Sequence, residues 1–234
     1  MPLRKPLPVL QIDGLRELNE NIYSFGEEVA HAVTHGLGAV LAIVGLVALV
    51  VRAELYGDYW AVLSAAIFGS TLVMMYVAST LYHSIPLPRA RHILRVIDHS
   101  MIYLLIAGSY TPITLISLHG AWGWSLFTFV WVLALFGVVF KIYATGKYEK
   151  LSLAIYLGMG WAAVVAIGPL LEHVPRGGLI MMLIGGITYS GGVLFYTWER
   201  LRYHHAIWHL FVLGGSVMHY LGVFYYVIPG PPAP

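Results

Sequence analysis

The chain has 234 residues, of which 59% are hydrophobic and 10% charged, with a mean hydropathy of +0.77. Soluble domains carry roughly 25% charged residues, so this chain cannot cover a water-facing surface, and lipid is its solvent. A net charge of +2, with the basic residues in short clusters between apolar runs, argues against a nucleic-acid-binding face. The absence of Cys excludes disulfides, thiolate nucleophiles and Cys metal ligands, so a metal must be held by His, Asp or Glu.

Residues 1–26 form a polar, Pro-containing leader with no apolar run of signal-peptide length. Ile12, Leu15, Leu18 and Ile22 recur at helical spacing, which suits a segment lying along the membrane surface. A spanning helix needs about 20 mainly apolar residues. Seven stretches meet that need, at 28–51, 59–83, 97–118, 121–143, 151–171, 178–198 and 206–228. The fold expected is an all-α membrane protein, a seven-helix bundle over 27–228 with short connections and antiparallel neighbours. The tail at 229–234, containing PGPPAP, carries no charge and reads as disordered.

Lys and Arg in the short loops set the orientation. Arg4, Lys5 and Arg16 precede span one. Arg89, Arg91 and Arg95 follow span two, Lys141, Lys147 and Lys150 follow span four, and Arg200 and Arg202 follow span six. The opposite side offers only Arg52 and Arg176. The N-terminus is therefore expected in the cytoplasm and the C-terminus outside. Pro112 in span three and Pro169 in span five are expected kink sites. Gly186 and Ser190, beside Gly185 and Gly191, form a small-xxx-small face on span six, read as helix packing.

Polar residues inside membrane helices need a reason. Span two ends with Ser79 and His83, span three begins with Asp98 and His99, and span seven begins with His204, His205 and His209. His205 and His209 are four apart and share a helix face, as do Ser79 and His83. The topology puts His83, Asp98, His205 and His209 in one leaflet, although the charge rule used none of them. Three imidazoles and a water can hold a catalytic zinc ion, and a neighbouring carboxylate can hold and deprotonate that water or orient a ligand. The same residues can also be read more simply, as interfacial His at helix ends and an Asp98 N-cap. Glu27, Glu28, His31 and His35 open span one. The two Glu read as acidic residues favoured by the helix dipole, or else Glu28, His31 and His35, which lie near one helix face, form a cluster that supports the site or handles protons. His219, about 15 Å along span seven from His209, is too far away to share an ion and reads as a buried hydrogen-bonding residue. His204 and His99 are expected to point elsewhere, and His92 and His173 to sit in loops. Tyr59, Trp60, Trp122 and Trp124 read as interfacial anchors.

At these residues the sequence resembles the hemolysin III family, the bacterial branch of the progestin and adipoQ receptor family, itself related to alkaline ceramidases. The likeness runs through EEVAHAVTHGLG at 27–38, ASTLYHSIP, DHSMIYLLIAGSYTP, the GMGW of 158–161 and HAIWHLFVLGGSVMH at 205–219. It implies a seven-helix fold in the bacterial inner membrane with Zn2+ near the cytoplasmic face. By that resemblance His83, His205 and His209 are zinc ligands, Asp98 contacts the zinc-bound water, and Ser79 supports the site by hydrogen bonding. Three functions follow as expectations. The first is a zinc-dependent hydrolase of a lipid amide or ester bond, with membrane lipids as environment and substrate. The second is a non-catalytic sensor or regulator of membrane lipid or energy homeostasis with a structural zinc. The third, ranked lowest, is a pore-forming haemolysin. A transporter or proton channel built on Glu28, His31, His35 and His219 lacks the support of an inverted repeat.

Overall fold

The computed structural model describes residues 23–230, so the surface-lying segment expected in the leader and the disordered tail lie outside the described residues, apart from 229 and 230. The first helix begins at a capping box. The Ser24 hydroxyl accepts the Glu27 backbone N–H, and the Glu27 carboxylate accepts the Ser24 backbone N–H at 2.9 Å. From there span one runs through Phe25–Tyr56, and the Asp58 side chain caps span two, Tyr59–Ser84, by accepting the Ala61 N–H at 2.9 Å. Span three covers Pro88–Leu118, span four Gly120–Ala144, span five Glu149–His173, span six Arg176–Tyr196 and span seven His204–Val227. All seven are long and apolar enough to cross a membrane, and no strand occurs among the described residues. The chain is a multi-pass helical membrane protein.

Span three differs most from the sequence expectation, starting at Pro88 rather than near 97. Hydropathy overlooks its first turns because RARHILR is basic. Pro88 nevertheless sits in the first helical turn, where a missing N–H costs nothing. After Pro112 the helix widens into a π-helical stretch over Ile113–Leu118, consistent with the backbone bond that proline cannot make. Span five is broken rather than bent. An α-helix over Glu149–Gly160 gives way to a tight 3-10 stretch at Ala162–Ala166, then to a final helix, Ile167–His173. Pro169 clashes with the carbonyl four residues back, so the disruption falls just before it. The Tyr110 hydroxyl reaches the break from span three, lying 2.9 Å from the Met159 carbonyl and 2.8 Å from the Gly160 carbonyl, and it accepts the Ala163 N–H at 2.9 Å. Freed backbone groups inside a bilayer need such partners.

Spans one, two, three and four pack in sequence, span six packs along span seven, and span seven closes back on span one. Span five touches spans three, four and six over short stretches only. Span three is the most enclosed, with 61% of its most apolar stretch buried, against 17% for span six. Phe68, Tyr76, Tyr103, Val130 and Met159 are fully buried at the centre. Val33, Leu37, Val40, Val44, Val47 and Val51 line the outer face of span one, where lipid replaces protein as the apolar partner. Alternation of direction brings the end of span two and the starts of spans one, three and seven to one end of the bundle.

The small residues of span six divide between two faces. Gly185 lies against His219 and the Gly215 carbonyl of span seven, and Gly192 against Phe211 and Trp208, so these two form the close helix seam. Gly186 and Ser190 instead face span five, where the Trp161 indole N–H donates to the Ser190 hydroxyl at 3.0 Å.

Candidate metal centre

The site gathers at the basic end of the bundle. His83 comes from the last turn of span two, and His205 and His209 from the first two turns of span seven. One ligand nitrogen from each lies within 4.8 Å of the others, so the three could hold a metal ion. The rings pack at centroid distances of 4.7 Å for His205 with His209, 5.2 Å for His83 with His209 and 5.4 Å for His83 with His205. All three side chains are buried.

Two of these rings have their roles fixed by partners outside the trio. His83 Nδ1 lies 2.7 Å from a Glu28 carboxylate oxygen, so Nδ1 carries the proton and Nε2 keeps its lone pair. That Nε2 is buried and has no protein partner among the described residues. The Thr34 hydroxyl donates to the Ala30 carbonyl at 2.8 Å or the His31 carbonyl at 2.9 Å. Its oxygen can therefore accept a proton from His209 Nδ1 at 3.2 Å, and the His31 carbonyl is a second acceptor at 3.3 Å. His209, like His83, is left with Nε2 free to ligate. A buried ring nitrogen without a partner costs free energy unless something fills the gap, and a cation shared by these nitrogens would do so.

Span one supplies the residues whose role the sequence left open. His31 is fully buried, with its ring 4.6 Å from His83, 4.8 Å from His205 and 5.3 Å from His209. His35 stacks on His209 at 3.5 Å with 7° between the ring planes. Glu28, His31 and His83 form a second group whose ligand atoms lie within 4.8 Å of one another. Arg91 of span three forms an ion pair with the other Glu28 oxygen. Tyr23 covers the cluster, its ring 4.7 Å from His31 and 5.3 Å from His205, and burial raises the pKa of its phenol.

Asp98 is buried on span three, with the Ser79 hydroxyl beside its carboxyl group. Its oxygens do not belong to the 4.8 Å set. Asp98, Ser79, His205 and His209 line the polar end of a cavity of about 140 Å³. The cavity continues past Leu105, Tyr110, Leu157 and Trp161 to His219, between apolar walls. His219 donates from Nδ1 to the Gly215 carbonyl at 2.9 Å, as a buried hydrogen-bonding histidine should, and its ring also lines the cavity. His204 turns toward the Phe195 carbonyl, away from the trio. His99, against expectation, lines the same cavity as Asp98. His92 and His173 sit on helices rather than in loops.

Arg91, Thr34 and Tyr23 had no place in the sequence-derived site. Arg91 had a signal: it lies seven residues before Asp98, two helical turns away on the same face, once span three is started at Pro88.

A family model described as "Haemolysin-III related" matches residues 23–220. "Hemolysin-3" of Bacillus cereus is 46% identical over 203 residues, covering 87% of this chain and 93% of the relative. "Hemolysin-3 homolog" of Bacillus subtilis (strain 168) is 44% identical over 210 residues, covering 90% and 99%. The human "Monocyte to macrophage differentiation factor" is 29% identical over 211 residues, covering 88% and 86%.

Proposed function

The chain belongs to the haemolysin III-related family, and on that premise we propose that it is a zinc-dependent hydrolase cleaving an amide or ester bond of a membrane lipid. The observation that carries this reading is the convergence of the His83, His205 and His209 nitrogens at the polar end of an apolar cavity. His83 and His209, both set to bind through Nε2, together with His205 would hold the ion. A neutral all-imidazole set suits zinc among the first-row metals, and geometry and availability decide between zinc and iron or manganese. Zinc held there would supply a Lewis acid and bring water to a near-neutral pKa.

Asp98 is placed beside the ligand set rather than in it, which suits a group that takes the proton of the attacking water. The water oxygen bonds to the carbonyl carbon, the bond from that carbon to nitrogen or oxygen breaks, and the proton passes to the departing amine or alcohol. Ser79 steadies the Asp98 carboxyl group. The apolar walls between Leu105 and Trp161 suit an acyl chain. In the inner membrane, with the basic end facing the cytoplasm, the reacting bond would come from a lipid of the cytoplasmic leaflet.

The test uses purified protein in nanodiscs, a panel of fluorescent lipid amides and esters, and the His209→Ala and Asp98→Asn variants. Turnover by wild type that both variants lose is the expected result. Equal turnover by wild type and His209→Ala eliminates the hydrolase.

A second reading is favoured by the way imidazoles and a carboxylate from spans one, two and seven meet at one point: the ion would be a structural tie in a sensor of lipid packing. Chelation separates the two. A structural ion makes thermal stability collapse with its removal, whereas a catalytic ion takes turnover with a smaller loss of stability.

A further inference from the structure

The group formed by Glu28, His31 and His83 can be read in two ways. It could be a second cation site, or it could be the outer support of the first. Charge decides between them. One Glu28 oxygen lies 2.7 Å from His83 Nδ1 and the other is paired with the Arg91 guanidinium. A carboxylate already neutralised by an arginine has little attraction left for a divalent ion, and that ion would face the guanidinium at close range. His31 Nδ1 is 3.7 Å from the carboxylate, beyond hydrogen-bond reach, so it does not compete for the oxygens.

We propose that Glu28, clamped by Arg91, is the positioning residue that presents His83 Nε2 to the metal. The imidazole has two ring nitrogens that could bind a metal, and in His83 Nδ1 is engaged by Glu28 while the buried Nε2 is left without a partner. Holding the proton on Nδ1 does three things. It fixes which nitrogen carries the lone pair, locks the ring about its side-chain torsions, and makes that lone pair more basic through the negative charge behind it. Arg91 completes the arrangement. Its ion pair holds the Glu28 side chain at the depth of His83, two helices away from its own span, and lowers the cost of burying the carboxylate. The chain Arg91, Glu28, His83 thus links spans three, one and two to the ion. His209 has the weaker, uncharged counterpart in Thr34, so the two ligands are held by supports of different strength.

This proposal rests on the metal reading and not on hydrolysis, and the test is built accordingly. Wild type, Glu28→Gln, Arg91→Met, the double variant and Glu54→Gln are purified and titrated with zinc against a competing chelator, without substrate. Glu54 lies on the same helix far from the site and serves as the control. Metal-free protein is melted in parallel, and cobalt-loaded protein gives the ligand-field spectrum. Glu28→Gln is expected to weaken zinc binding about 10- to 100-fold, the range for lost outer partners of metal ligands. The cobalt bands should shift while the metal-free melting temperature stays near that of wild type. Arg91→Met should weaken binding less, and the double variant no more than Glu28→Gln alone, because Arg91 acts through Glu28.

Unchanged affinity and spectrum in Glu28→Gln overturn the proposal. So does a loss of affinity matched by an equal fall in metal-free stability, which would mean a structural role. Two ions per wild-type chain, falling to one in Glu28→Gln, would establish the second cation site instead. If Glu28→Gln fails to fold, Arg91→Met and its cobalt spectrum decide the matter alone. Wild type that binds no ion removes the metal reading itself, an outcome separable from all of these.

Discussion

The two ends of the bundle are built from similar residues with opposite results. At the end farther from the metal centre, Asp58 and Arg52 find partners, although the buried Ser64 hydroxyl does not. The Asp58 carboxylate caps its own helix, and the Arg52 guanidinium reaches the Ile228 carbonyl at 3.4 Å and lies 4.7 Å from the Phe224 ring. Trp60 and Trp124 meet edge to face at 5.8 Å in the manner of an interfacial belt. At the metal end the imidazoles crowd together with ring nitrogens left over, on His31, His35, His83 and His205. Polar side chains that find partners hold a fold together. Those that are buried, clustered and unsatisfied could hold a ligand, and the end where they cluster is therefore where chemistry is expected.

That contrast is open to measurement. The largest effect should come from His205→Ala and His209→Ala, which delete two of the proposed ligands. Each should abolish stoichiometric metal in the purified protein, a greater loss than the about 10- to 100-fold expected for outer partners, as read by elemental analysis. Retention of metal by either variant would erase the distinction between the ends. Thr34→Val keeps the shape of the side chain but removes the oxygen that accepts from His209 Nδ1. Because the His31 carbonyl remains as a second acceptor, affinity should fall only about 10-fold, the lower end of that range, as measured by chelator competition. Tyr110→Phe leaves the carbonyls and the N–H at the break in span five without their hydroxyl. It should cost about 1–3 kcal/mol in unfolding free energy in detergent, with metal affinity kept. The smallest effect belongs to Arg52→Met at the farther end. Losing a cation–π contact and one long hydrogen bond should cost about 0.5–1 kcal/mol and leave the metal content unchanged. A loss of metal there would couple the two ends.

The hydropathy pattern disclosed the spans well because each apolar run is long enough to cross a bilayer by itself. Its failures have local causes. The start of span three hides under Arg89, Arg91 and Arg95, which pattern reading treats as loop charge although the helix carries them from Pro88 onward. The break in span five falls at Trp161–Ala166, a stretch as apolar as its surroundings, so only Pro169 hinted at it. In the candidate site, the convergence of His83, His205 and His209 was legible because helical spacing and span direction can be read from one chain. Glu28, His31 and His35 appeared as a cluster in the sequence, but its contact with the trio depends on span one closing against span seven, which no linear pattern encodes. Thr34 gave no signal, since one threonine in an apolar helix is usually bonded to its own backbone.

Tyr23, resting on His31 and His205, has a practical consequence. Tyr23 itself forms the roof of the imidazole cluster, whereas residue 230 lies at the other end of the bundle. A polyhistidine tag joined directly ahead of Tyr23 would put competing imidazoles beside the proposed ion site. Purification handles therefore belong on the carboxyl side, and occupancy measured with the two tag placements gives a simple gauge of how open that roof is.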